Sequence, residues 1–165
     1  MNHPHRRCRS TTLWQAAAAL ALSAALLAPA QADRLAVPLL KAYQAECGAC
    51  HLAYPPGLLP AASWQRLMAN LPRHFGTDAS VDAATLKQLS DWLAANAGRY
   101  KKVARQPAPP PEDRITRAAW FVREHDELPP ATWKLPAVKR AANCAACHTG
   151  AEQGDFSEHH VRIPR

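Results

Sequence analysis

The sequence predicts a mainly α-helical fold made of two small domains joined by a proline-rich linker. Three observations lead there. Apolar residues recur at i, i+3, i+4 and i+7 in several segments, period-two alternation is essentially absent, and the run KKVARQPAPPPED at 101–113 divides the chain.

The chain opens with MNHPHRRCRSTTLWQ, which carries Arg6, Arg7 and Arg9 and no acid, and continues into AAAALALSAALLAPA. That apolar run is too short to span a bilayer comfortably, and Ala30-Gln31-Ala32 fits the small-residue cleavage rule. Residues 1–32 are therefore expected to be a secretory signal peptide cleaved near Ala32, with the mature protein in the periplasm. An uncleaved anchor is the rival reading, and the adjacent cleavage site weighs against it. Removing three arginines lowers the formal charge from +7 to +4. This mild basicity hints at an acidic protein partner, and an exported protein has no need of nucleic acid to explain it.

The first domain is expected over 33–100. Segment 35–51 has helical spacing with Pro38 in its first turn, and Tyr54-Pro55-Pro56-Gly57 then breaks it. Trp64, Leu67, Met68 and Leu71 define a second helix over 61–71, stopped by Pro72. A third starts near Asp82, carries Leu86, Leu89, Trp92 and Leu93 on one face, and ends before Gly98. After the semi-rigid linker at 101–113, the second domain is expected over 114–165. Ala119, Trp120 and Val122 mark a fourth helix over about 116–127, and a fifth runs from Pro136 towards Cys144. The tail from Gly150 has little periodicity.

The chemistry lies in two Cys-x-x-Cys-His runs, Cys47, Cys50 and His51, then Cys144, Cys147 and His148. Cys8 falls in the leader, so the two runs consume every remaining cysteine. On a helical turn, residues at i, i+3 and i+4 face one object. Two thiols can then form thioethers at a porphyrin edge while the imidazole reaches the iron, so each run is expected to bind one covalent haem c. A zinc site built from the four cysteines, or a pair of disulfides, would leave His51 and His148 without a role.

A six-coordinate carrier needs a second axial ligand on each iron. Outside the motifs and the leader stand Met68, His74, His125, His159 and His160. With one methionine, at least one haem lacks His/Met ligation. Met68 shares the apolar face of Trp64 and reads first as core filler. His74 follows a helix stop beside Phe75, and His125 lies one turn after Phe121; each is 23 positions from its motif histidine. His159 and His160 sit in a polar tail and remain reserve ligands.

The passages ECGACHLAYPPGLLP, RHFG, WF, ANCAACH, AEQG and VRIP together resemble the small diheme cytochromes c that pair with the oxygen-binding sphaeroides haem protein. The resemblance spans nearly all of the chain after the leader. It implies a mostly helical two-domain diheme protein with bis-histidine ligation, in which His51 and His148 are proximal and His74 and His125 distal ligands. It also implies electron transfer to a soluble oxygen-binding c-type haem protein, with a membrane cytochrome b as donor. The expected function is thus electron carriage without substrate chemistry. A small diheme enzyme or gas-binding sensor, each requiring one open haem, is the alternative.

Overall fold

Helix formation begins after Pro38 and an extended Leu40. In the computed structural model, which describes residues 37–165, Leu40 is extended (φ −62°, ψ 130°) and helix α1 spans Lys41–Cys47. The helix expected over 35–51 is therefore shorter at both ends. Residues before a proline avoid the α region, and beyond Gly48, whose N–H reaches the Gln44 carbonyl at 3.0 Å, the helical ladder stops. Cys50 and His51 leave the helix in a turn. The leader expected over 1–32 lies outside the described residues.

Pro60 precedes α2, Ala61–Met68. Asn70 turns out of the helical region (φ −131°, ψ 32°), so α2 ends three residues earlier than the apolar pattern suggests and Leu71–Arg73 forms a 3-10 turn. His74 follows, and Phe75 (φ 49°) with Gly76 (φ 95°) reverses the chain. Gly76 supplies the left-handed backbone at no steric cost. Helix α3, Ala83–Asn96, is the longest; the Asp82 carboxylate caps it by accepting from the Ala84 and Thr85 amides at 2.9 and 3.0 Å.

Part of the expected linker is helical. α4 spans Lys101–Ala104 and buries Val103, and a 3-10 turn covers Pro111–Asp113. Val103 packs into a core, and that burial outweighs the local propensity of a basic, proline-flanked segment. α5 covers only Ala119–Glu124, because Ala118 is extended and His125 leaves the helix at φ −129°. The helix expected from Pro136 does not form. Lys139 takes φ 66°, and the second motif begins in a 3-10 turn, Cys144–Ala146, steadied by Asn143 Nδ2 donating to the Val138 carbonyl at 3.1 Å. Among the described residues there is no strand, and no helix is long and apolar enough to cross a membrane.

Two apolar clusters position the motifs. The first joins Tyr43 of α1, Trp64 and Met68 of α2, and Leu89 and Leu93 of α3. Polar rims of its aromatics are satisfied: Trp64 Nε1 donates to the Pro56 carbonyl and Tyr43 Oη to the Tyr54 carbonyl, each at 2.8 Å. The second joins Leu58, Val103, Ala118, Trp120 and Phe121. Tyr54 and Ile115 pack against both clusters, and α4 is tied to α5 by the Lys102–Glu124 ion pair.

Candidate haem sites

Each Cys-x-x-Cys-His run ends beside a histidine from elsewhere in the chain. The His51 and His74 ring centroids are 6.2 Å apart with planes 24° from parallel, and those of His125 and His148 are 6.1 Å apart with planes at 71°. Two imidazoles on opposite sides of one metal, with metal–nitrogen bonds of about 2.0 Å and ring centres about 1.15 Å beyond the nitrogens, have centroids about 6.3 Å apart. Both observed separations match that figure. They are too long for stacking of bare rings and leave room for an iron between them.

Ring orientation is prepared on one side of each pair. His51 Nδ1–H donates to the Leu52 carbonyl at 2.7 Å, and His125 Nδ1–H to the Phe121 carbonyl at 2.8 Å. Fixing the proton on Nδ1 leaves Nε2 as the lone-pair nitrogen, the form a metal takes. His74 and His148 each have a buried Nδ1 with no hydrogen-bond partner in the structure; a bond from Nε2 to iron would supply the missing restraint. Burial, followed by the facing histidine, lowers the pKa of both His74 and His148 and favours the neutral ligand form.

The four thiols, Cys47, Cys50, Cys144 and Cys147, are all unpaired. Burial pushes the Cys47 and Cys144 thiols up to about 11 and raises Cys147 as well. A dithiol oxidoreductase needs the opposite shift, since the thiolate is its nucleophile. Nor do the motifs converge on a bare ion: no group of three or more His, Cys, Asp or Glu among the described residues could hold one. Free thiols and facing imidazole pairs instead fit two macrocycles. A cavity of about 630 Å³, lined by Gly48, Cys50 and His51 of the first motif and by Lys139, Arg140 and Asn143 before the second, has the size of a cofactor pocket.

The surroundings differ. His51 stacks on Tyr54 at 5.0 Å, His74 meets Phe75 edge-on at 4.8 Å, and the Arg114 guanidinium lies 4.2 Å over the Phe75 ring. His125 stacks on Phe121 at 4.1 Å and lies 5.8 Å from Trp133, while Phe156 lies 5.4 Å from His148. The tail straps the second motif: Thr149 Oγ1 donates to the His160 carbonyl at 3.0 Å and the Arg162 amide to the Cys147 carbonyl at 2.8 Å. Gly150 is required there, because a β-carbon would come within 2.8 Å of Asp155 Cβ.

Of the histidines considered as reserve ligands, both His159 and His160 are exposed, and His160 Nδ1 contacts Asp155 at 2.9 Å. Met68 is buried in the first core between helices. Sequence reasoning did not single out Tyr54, Trp133, Phe156 or Asp155 as site residues. Only Tyr54 carried a usable signal, being an aromatic three residues after His51. Its hydroxyl donates to the Ala142 carbonyl at 2.7 Å, and burial, with Cys144 nearby, pushes its pKa up to about 12.

Comparison with known proteins bears on these sites. Residues 43–156 match the family model described as Dihaem cytochrome c. A solved diheme cytochrome c from Rhodobacter sphaeroides is 45% identical, with 73% of this chain and 98% of that one covered and a TM-score of 0.65. The diheme cytochrome c of Shewanella baltica OS155 is 40% identical, over 78% and 95% of the two chains, with a TM-score of 0.66. No curated protein matches the chain. Since the matched span encloses both motifs and both facing histidines, and relatives of known structure agree over almost their full length, the chain belongs to the dihaem cytochrome c family and carries two haem c groups.

Proposed function

We propose that this dihaem cytochrome c is a periplasmic electron carrier with both irons closed by histidine pairs, His51 with His74 and His148 with His125. The observation that carries this reading is the pair of ring separations, 6.2 and 6.1 Å, each matching two imidazoles on one iron. Bound haem c supplies a one-electron ferric/ferrous couple. The chain does the rest. Cys47 and Cys50, and Cys144 and Cys147, hold the macrocycles covalently. The Leu52 and Phe121 carbonyls fix the tautomer and orientation of His51 and His125. Lys139 and Arg140 line the cavity beside the first motif and offer cations to macrocycle carboxylates.

With both axial positions filled by protein, substrate has no open iron to bind, which supports carriage over catalysis. The family likeness and the mildly basic surface support an acidic redox protein as partner, and we assign this role to an oxygen-binding c-type haem protein downstream of a membrane cytochrome b. EPR or magnetic circular dichroism of the oxidised holoprotein tests the ligation. Two low-spin bis-histidine signals are expected, one lost in His74→Ala and the other in His125→Ala, and the reduced protein should not bind carbon monoxide. A native high-spin or histidine–methionine haem would overturn the assignment.

A further inference from the structure

Tyr54 touches the machinery of both haem sites. Its ring stacks on His51 at 5.0 Å with planes 26° apart, and its hydroxyl donates at 2.7 Å to the carbonyl of Ala142, two residues before Cys144. It is half-buried and packs against both apolar clusters, and its own carbonyl is held by Tyr43 Oη. The contact therefore has little freedom to drift. We propose that Tyr54 is the positioning residue that couples the two haem sites, holding the second motif against the first and providing the bridge for electron exchange between the irons.

This rests on His51 being an iron ligand. The path runs from the His51 imidazole to the Tyr54 ring by contact, from the hydroxyl to Ala142 by a hydrogen bond, and along Asn143 to Cys144. With haem bound at both sites, one electron would leave a ferrous iron at one and reach a ferric iron at the other, with no other reactant needed. No bond forms or breaks, and the tyrosine is neither oxidised nor deprotonated. Phenylalanine would keep the stacked ring and lose the hydroxyl bridge, whereas leucine would lose both.

NMR exchange spectroscopy of the half-reduced holoprotein, diluted to suppress intermolecular transfer, reads the rate of exchange between haems. Tyr54→Phe is expected to slow it below the wild-type rate, and Tyr54→Leu at least as much, with both low-spin signals retained. A purely structural residue would leave the exchange rate of Tyr54→Phe at the wild-type value once the spectra are intact. That result overturns the proposal in favour of direct transfer between macrocycle edges. If Tyr54→Leu loses a low-spin signal, the phenylalanine variant decides alone. Failure of the ligand assignment is distinguishable, because wild type itself would then lack two low-spin signals of the bis-histidine type.

Discussion

The two haem sites use the same motif on different supports. The first hangs from a helical core: α1, α2 and α3 bury Tyr43, Trp64, Leu89 and Leu93, and Cys47 is the last residue of α1. The second motif does not itself begin on an α-helix. Its cysteines sit in or beside a 3-10 turn, fastened by the Thr149 and Arg162 hydrogen bonds to the tail and ringed by Phe121, Trp133 and Phe156. The motif thus needs only one tight turn that gathers two thiols and an imidazole. What differs is where the stability of that turn comes from, helix burial in one case and the cofactor with its strap in the other.

Removing the thioether anchors should expose this difference most strongly. In Cys144→Ala/Cys147→Ala, hydrogen exchange is expected to accelerate across 144–162 while the amides of Leu89 and Leu93 stay protected. Equal loss of protection in α3 would mean that the first core has no stability of its own. Core truncation probes the same contrast more gently. Leu93 is 0% exposed, and Leu93→Ala should cost about 2–5 kcal/mol in denaturant unfolding. Val138 in the second half is 1% exposed, and Val138→Ala, which removes two methyl groups, should cost about 1.5–3 kcal/mol. If Val138→Ala proves the costlier, the second half holds the larger share of the fold.

The imidazole planes give an electronic form of the comparison. A ligand imidazole donates π density to the iron d orbital perpendicular to its ring. If His51 and His74 close one iron as proposed, their nearly parallel rings, at 24°, would act on one orbital and split the pair. The nearly crossed rings of His125 and His148, at 71°, would act on both and leave them close in energy. The ferric second haem should therefore show the more anisotropic EPR signal, the one that disappears in His125→Ala. Two indistinguishable signals would erase the asymmetry.

How much of this was legible in the sequence follows the physics of each segment. Helical class, the existence of α2 and α3 and the two motifs could be read, because apolar period and cysteine spacing are local signals; the meeting of His74 with His51 and of His125 with His148 was implied by the family resemblance, since no local pattern joins positions 23 apart. The expected helix into Cys144 failed because its apolar residues serve a turn, in which Val138 is buried from a loop rather than from a helix face. The linker hid α4, whose stability depends on Val103 reaching a core built by distant residues. The bond from Tyr54 to Ala142 spans 88 positions, and no local pattern announces it.

The smallest effect lies between two short helices, where Lys102 of α4 pairs with Glu124 of α5. The hydrogen bond from Lys102 holds the Glu124 carboxyl below its ordinary range, and although burial alone would lower Lys102, the Glu124 bond leaves it raised. A depressed carboxylate pKa gives stability that is full above the unfolded carboxylate value and is lost as pH falls through the folded one. A raised lysine pKa gives stability that is full below the unfolded lysine value and is lost as pH rises through the folded one. Glu124→Gln should thus be less stable than wild type by about 1 kcal/mol or less near neutral pH, since both side chains keep some contact with water. The difference should vanish below the folded Glu124 pKa, where wild type has lost the same charge. Thermal unfolding across pH measures it, and a gap that persists undiminished in acid would assign the contact to packing of the side-chain stems instead of charge.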